Sequence, residues 1–264
     1  MQEASMLDEH IIEEMIREFA RAKKRGILLD YDGTLAPFEK LPSLAIPGDE
    51  VLNLLVELSE DKKNEVIVIS GRDSDSLQRW MGHLPLTLVA EHGAFIRYKN
   101  EPWKQQVLQS NKWKEEVKRL LQTFVIRCAE SFIEEKQNTL AWHYRNTDSD
   151  LGFVQSRELH NRLLQLTNNT ELQVIDGNRV IEVRFTGIDK GATSLKILQR
   201  FSPDFIFCLG DDTTDEDMFR ILRDKGYTVK VGDGDTAAQY TLNFQTDVLP
   251  LLRKFLESGA KEHD

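Results

Sequence analysis

The stretch Gly26-Ile27-Leu28-Leu29-Asp30-Tyr31-Asp32-Gly33-Thr34-Leu35 decides the fold. A short, continuously apolar run stops at two aspartates and a glycine, as a strand buried on both faces does where it leaves a parallel sheet. Runs of the same kind recur at residues 66–69 (ending at Ser70), 86–89, 205–209 (ending at Gly210) and 227–229. Between them, residues 49–60 and 192–200 carry apolar side chains at helical spacing. This alternation predicts an α/β fold with a doubly wound, mostly parallel sheet. Ahead of it, Leu7, Ile11, Ile12, Met15, Ile16 and Phe19 mark an amphipathic helix.

The middle of the chain is patterned differently. From about Phe95 to Phe185 the strand-like segments alternate apolar and polar residues, as antiparallel strands with one wet face do. Residues 174–181 predict a hairpin turning at Asp176-Gly177, and residues 133–144 a second one turning near Asn138-Thr139. Helical spacing over 113–130 and 151–166 completes a separate α+β domain. The expected division is a core of residues 1–96 and 186–264 with an inserted domain at 97–185.

The 264 residues carry 34 basic and 44 acidic side chains, a formal net charge of -10. That balance argues against a non-specific binder of nucleic acid or anionic membrane, since both require a basic surface. A 40% hydrophobic and 30% charged composition fits a soluble chain that buries a real core. Two cysteines, Cys128 and Cys208, are too few for a disulfide framework and point to a reducing, cytoplasmic setting. The acidic N-terminal stretch has no continuous apolar run, so neither a signal peptide nor a membrane span is expected.

Ligands of open α/β sheets bind beyond the carboxyl ends of the strands. The residues there form four groups: Asp30 to Leu35; Ser70-Gly71-Arg72; Asp189-Lys190-Gly191 opening a helix; and the acidic cluster from Asp211 to Asp217. Singly, each has an ordinary reading as a turn, a solvated charge or a helix cap. Their joint occurrence at strand ends and a helix start points to aspartate-based phosphoryl transfer. An aspartate can attack phosphorus and hold the phosphoryl group covalently. A second acid two residues later faces the same side of an extended strand end, from where it can donate and accept the proton. Serine, threonine and lysine can bind the phosphoryl oxygens. Two like charges ~4 Å apart repel by about 4 kcal/mol at an effective dielectric near 20. Asp30, Asp32, Asp211, Asp212 and Asp215 around a phosphate dianion therefore demand a metal cation.

The order DYDGTL, SGR, a lysine opening a helix and GDDTTDED resembles the haloacid dehalogenase superfamily of aspartate phosphatases, with the middle domain similar to its larger cap type. LLDYDGTLAPF, VIVISGR, LVAEHGAFIR, EEKQNTLAWHYR, IEVRFTGIDKG and GDDTTDEDMF together resemble the trehalose-6-phosphate phosphatase family over nearly the whole chain. The resemblance implies Asp30 as nucleophile and Asp32 as general acid/base, with Ser70 and Lys190 completing the catalytic set. It implies Mg²⁺ on Asp30, the Asp32 main-chain carbonyl and Asp211, with Asp212 and Asp215 close by. Thr34 and Arg72 would bind the phosphoryl group. Glu134, Lys136, Arg145 and Glu182 would bind the sugar, over which the cap would close. The implied partner is a small sugar phosphate, and in this family a trehalose-phosphate synthase region in the same or a partner chain. Another sugar phosphate, such as sucrose 6-phosphate, and a non-catalytic regulatory domain of a synthase are the competing readings.

His92 and His143 read as hydrogen-bonded structural histidines, because no second His or Cys stands at ligand spacing. Trp80, Trp103, Trp113 and Trp142 read as packing residues, and Cys208 as an inert buried thiol. Residues 231–235 form a turn-rich loop without the helix start a dinucleotide fingerprint needs.

Overall fold

The computed structural model describes residues 4–39, 41–106 and 110–260, so the expected outer limits at 1 and 264 lie outside the described residues. The chain divides into two compact units, Met1–Lys104 with Asp189–Asp264, and Gln105–Ile188.

In the first unit the elements follow as β1 (Ser5–Met6), α1 (Glu9–Arg21), β2 (Arg25–Asp30), α2 (Asp49–Glu60), β3 (Asn64–Ile69), α3 (Ser74–Met81), β4 (Thr87–Ala90), β5 (Phe95–Arg97) and β6 (Lys104–Gln105). The second unit contains α4 (Trp113–Arg127), β7 (Phe132–Glu135), β8 (Thr139–His143), α5 (Ser149–Thr167), β9 (Leu172–Gly177) and β10 (Val180–Phe185). The chain then returns with α6 (Lys190–Phe201), β11 (Phe205–Gly210), α7 (Glu216–Leu222), β12 (Tyr227–Val231), β13 (Tyr240–Leu242) and α8 (Val248–Ala260).

The large sheet has the order β1-β13-β12-β11-β2-β3-β4-β5-β6. It is parallel from β1 to β4, and β5 runs back antiparallel to β4. Every residue of β2 is buried, as its unbroken apolar run requires. Strands β3 and β11 both follow β2 in the chain but flank it on opposite sides in the sheet, which makes the end of β2 a topological switch point. One face buries Ile67, Ile69 and Val89 with Ile197, Met218, Phe219 and Leu222. On the other, Phe19 of α1 meets Phe205 edge-on at 5.4 Å and Phe255 of α8 at 4.9 Å. Helix α1 is thus part of this core. Arg25 is buried beneath it, stacked 4.0 Å from the Phe19 ring centroid and paired with Asp61 at 2.8 Å.

The second unit is an antiparallel sheet of order β7-β8-β10-β9, against which α4 and α5 pack. Val117, Leu121 and Phe124 of α4, with Leu159 and Leu163 of α5, meet Leu140, Trp142, Ile181 and Val183 of the sheet. Strand periodicity turns the intervening residues to the opposite face. The register aligns Glu134, Ala141 and Glu182 in one row across β7, β8 and β10.

Two local expectations are corrected. The β9–β10 loop is Asn178-Arg179, not Asp176-Gly177: Gly177 pairs with Val180, and Arg179 takes a positive φ of 61°. This register extends the ladder to six pairs, and core alignment outweighs the Asp-Gly turn preference. Strand β5, placed by its pattern at the start of the alternating region, belongs to the large sheet. The two compact units divide after Lys104 and Ile188, a few residues beyond the expected 96 and 185.

Candidate active site

The polar groups at the carboxyl ends of β2, β3 and β11 converge within the first unit. Lys190, the first residue of α6, is almost wholly buried and donates to Asp30 Oδ1 at 2.5 Å and Asp215 Oδ1 at 2.8 Å. The other Asp215 oxygen accepts the main-chain N–H groups of Asp211 and Asp212, each at 3.0 Å. Asp215 therefore shapes the loop after β11 while sharing the Lys190 ammonium with Asp30. Oxygens of Asp30, Asp211 and Asp215 lie within 4.8 Å of one another.

Burial, then the Asp215 carboxylate, pushes the Asp30 carboxyl up to about 7 against the pull of Lys190. Burial, then Asp30 and Asp215, pushes Asp211 up as well. Burial opposes the Lys190 charge, but Asp215 and Asp30 outweigh it and hold the ammonium protonated. Three carboxylates against one ammonium leave two negative charges uncompensated when all are ionised. That donor set fits a divalent cation with oxygen preference.

Asp32 points to a different cation. Arg72 donates through Nε to Asp32 Oδ2 at 2.7 Å and through Nη2 to Oδ1. The guanidinium lies 5.5 Å from the Trp80 ring centroid, and Trp80 packs on Tyr31 at 5.6 Å. Ser70 Oγ accepts the Arg72 N–H at 3.1 Å. The loop after β4 grips this segment: Glu91 N–H donates to the Arg72 carbonyl at 2.9 Å and His92 N–H to the Ser70 carbonyl at 3.0 Å. Glu91 and His92 both take positive φ, 46° and 58°, a conformation that costs non-glycine residues of order 1–3 kcal/mol each. A Cβ on Gly71 would stand 2.7 Å from the His92 ring, so His92 packs against the loop.

Thr34 Oγ1 donates to Asp211 Oδ1 at 3.2 Å. Gly33 permits that approach: its φ is 85°, and a Cβ there would lie 2.2 Å from Asp211 Oδ2. Asp212 Oδ1 accepts from Thr213 N at 2.7 Å and caps the turn beside Asp211 and Asp215. The structure thus brings together Asp30, Asp32, Thr34, Ser70, Arg72, Lys190, Asp211 and Asp215. Arg72 binds an acid where the resemblance implied a phosphoryl group.

In the second unit, Lys136 Nζ lies 3.3 Å from Glu134 Oε2 and 3.7 Å from Glu182 Oε1. His143 Nε2 shares Glu134 Oε2 at 2.8 Å and stacks on Phe132 at 4.8 Å. Burial opposes the Glu134 charge, but Lys136 and the His143 hydrogen bond hold the carboxyl down at about 2. Arg145 Nη2 donates to the Asn178 carbonyl at 2.7 Å. Trp142 is a core residue, its Nε1 donating to Ser131 Oγ at 3.2 Å. Cys128 and Cys208 are free and buried, and burial raises both thiols.

Sequence reasoning missed three contributors. Lys230 Nζ donates to the Asp211 carbonyl at 2.9 Å, Gln245 Nε2 to the Thr34 carbonyl at 3.0 Å, and Trp80 carries Arg72. A lysine inside the apolar run of β12 was the one readable signal.

The doubly wound sheet, with a lysine-paired aspartate at its switch point and an acidic loop after a neighbouring strand, has a haloacid dehalogenase-like fold. A haloacid dehalogenase-like hydrolase from Bacteroides thetaiotaomicron shares this fold at TM-score 0.64 and 13% identity, covering 88% of this chain and 99% of that one. The chain belongs to the trehalose-phosphatase family, whose profile matches residues 28–245. It is 42% identical over 248 residues to alpha,alpha-trehalose-phosphate synthase [UDP-forming] B of Dictyostelium discoideum, covering 92% of this chain and 31% of that protein. It is 38% identical over 231 residues to a trehalose-phosphatase of Saccharomyces cerevisiae, covering 79% of this chain and 26% of that protein. The chain spans about a third of the length of these curated relatives or less. The C-terminal domain of C. albicans trehalose-6-phosphate phosphatase superposes with TM-score 0.90 at 32% identity, covering 96% of this chain and 98% of that one.

Proposed function

We propose that the chain is a phosphatase that converts trehalose 6-phosphate to trehalose and phosphate. The observation that carries this reading is the buried Lys190 bridge between Asp30 and Asp215. In the proposed reaction an Asp30 carboxylate oxygen attacks phosphorus, the ester P–O bond breaks, and Asp32 gives its proton to the leaving sugar oxygen. Asp32 then takes a proton from water, which attacks the aspartyl-phosphate, releasing phosphate and restoring Asp30. Lys190 offsets the negative charge between nucleophile and phosphoryl group, and the Thr34 and Ser70 hydroxyls offer hydrogen bonds to its oxygens. Arg72 orients Asp32.

Asp30 and Asp211, with the Asp32 main-chain carbonyl and with Asp215 nearby, would hold Mg²⁺. When bound, the ion supplies charge stabilisation at the phosphoryl oxygens. Glu134, Lys136 and Glu182 suit a polyhydroxylated ligand, whose hydroxyls are read by charge-assisted hydrogen bonds, and Arg145 is proposed to join them. The named relatives support a synthase region, in the same or a partner chain, as the functional partner. The two buried free thiols accord with the cytoplasm as its compartment.

Phosphate release from trehalose 6-phosphate, sucrose 6-phosphate and glucose 6-phosphate, with Mg²⁺ and with chelator, tests the proposal. Mg²⁺-dependent release with trehalose 6-phosphate preferred is expected. Preference for another sugar phosphate would overturn the substrate. No turnover of any would favour a regulatory domain.

A further inference from the structure

Lys114 breaks two local rules. It stands in the first turn of α4, where the helix dipole disfavours a cation, and only 6% of its surface is exposed. Rule-breaking residues of this kind need a compensating contact. Here the contact lies on the β7–β8 hairpin: the Lys114 ammonium donates to the Lys136 carbonyl and stands 3.7 Å from Glu135 Oε1. Lys118, one helical turn on, holds the other Glu135 oxygen at 2.7 Å. Just ahead of the helix, Asn111 Nδ2 donates to the Gln137 carbonyl at 2.9 Å. The hairpin closes on itself through Lys136 N–H to the Thr139 carbonyl at 3.0 Å.

We propose that Lys114 is a positioning residue for sugar recognition, fixing the main chain of Lys136 so that its ammonium stays between Glu134 and Glu182. The inference rests on the proposed role of those three residues. Asn111 and Gln105 hold the next two residues of the tip, Gln137 and Asn138, whereas Lys114 holds the Lys136 carbonyl itself; a less tightly held Lys136 would sample positions away from one or both carboxylates. Lys114 anchors that tip to a helix packed on the sheet core. Its effect falls on the binding of the sugar and leaves the chemistry at Asp30 alone.

The test is a double-mutant cycle on the full chain, with trehalose 6-phosphate and the sugarless ester p-nitrophenyl phosphate as substrates. Lys114→Met keeps the aliphatic stem and removes the donor. It is expected to raise KM for trehalose 6-phosphate about tenfold, the loss expected for one hydrogen bond to a charged group, with kcat little changed. Turnover of p-nitrophenyl phosphate should stay at the parent level. Lys114→Met combined with Lys136→Met should bind no worse than Lys136→Met alone, because the first residue acts through the second. Lys114→Arg, which retains a donor, should recover part of the loss. Additive effects of the two methionines, or equal losses on both substrates, would overturn the role of Lys114. An unchanged KM in Lys136→Met would instead overturn the underlying reading of the sugar site. Should Lys114→Met not fold, Asn111→Ala removes the neighbouring tie at an exposed position. It should raise KM in the same direction, and no rise would count against the proposal.

Discussion

Arg72 holds Asp32 by both carboxylate oxygens across 40 residues of sequence, while Lys190 holds Asp30 across 160. Two aspartates separated only by Tyr31 are therefore delivered to different cations. Asp30 lies against a buried ammonium that it shares with Asp215, and so sits among fixed charges. Asp32 is clamped by a planar guanidinium at a more open position, which fixes its direction.

Replacing Arg72 with lysine keeps the charge but loses the two-pronged grip and the stacking on Trp80. Loss of an oriented acid/base costs ~10²–10⁴-fold, so kcat for Arg72→Lys is expected to fall at least a hundredfold. Trp80→Leu should fall less, since only the support of the guanidinium is removed. Steady-state phosphate release checks both, and near-parental rates in Arg72→Lys would contradict the assignment.

Asp30→Asn should abolish phosphate release while leaving far-UV circular dichroism unchanged. Acid quench and mass spectrometry of the parent during turnover should show a phosphoryl adduct on the peptide containing Asp30. Its appearance on a peptide without Asp30 would displace the nucleophile.

Lys190→Met leaves Asp30 and Asp215 buried without their shared ammonium. Breaking a buried ion pair on one side costs ~3–5 kcal/mol, and chemical denaturation should show a loss of that order. Part of it should return as pH is lowered, because the carboxyls then take up protons.

The raised carboxyls set a pH trend for the metal-free protein. Between the ordinary aspartate value of 3.8 and about 7, Asp30 keeps in the folded state a proton that the unfolded chain has released. Folded protein binds more protons there, so its stability is greatest at the acid end and declines as pH rises through that interval. Asp211 acts in the same direction. Melting in chelator from pH 5 to 8 should show the decline. Saturating Mg²⁺ should flatten it and add about 2.7 kcal/mol at a hundredfold excess over its dissociation constant. A melting temperature in chelator that rises through neutrality would refute the electrostatic account.

Gly33→Ala forces a side chain into a left-handed conformation and against Asp211. Mg²⁺ affinity, measured by calorimetry, should fall along with activity. Unchanged affinity would show that the loop accommodates the methyl group without moving Asp211.

The strands that build the site were legible because each is buried on both faces and writes an unbroken apolar run: 66–69 and 205–209 lie within β3 and β11. Asp30 and Asp211 were legible because they stood at the ends of such runs, and Lys190 because it opened a helix behind Asp189. Contacts made across the fold were not. That Arg72 serves Asp32, or that Lys230 holds the Asp211 carbonyl, depends on which strands are neighbours, and local spacing carries no such information. The Asn178-Arg179 turn was missed because local turn preference and core alignment disagreed, and alignment prevailed.

The position of β2 between β3 and β11 bears on the order in which the protein comes into being during synthesis. When translation has reached Ile188, Asp30 and its clamped neighbour Asp32 already exist, yet Lys190, Asp211 and Asp215 have not been made. A nascent chain at that stage exposes one unsatisfied edge of β2 and carries an aspartate with no cation beside it. The ammonium that meets Asp30 and the acids that share its site all come from the Asp189–Asp264 segment, so a product released before that segment is made carries Asp30 without them.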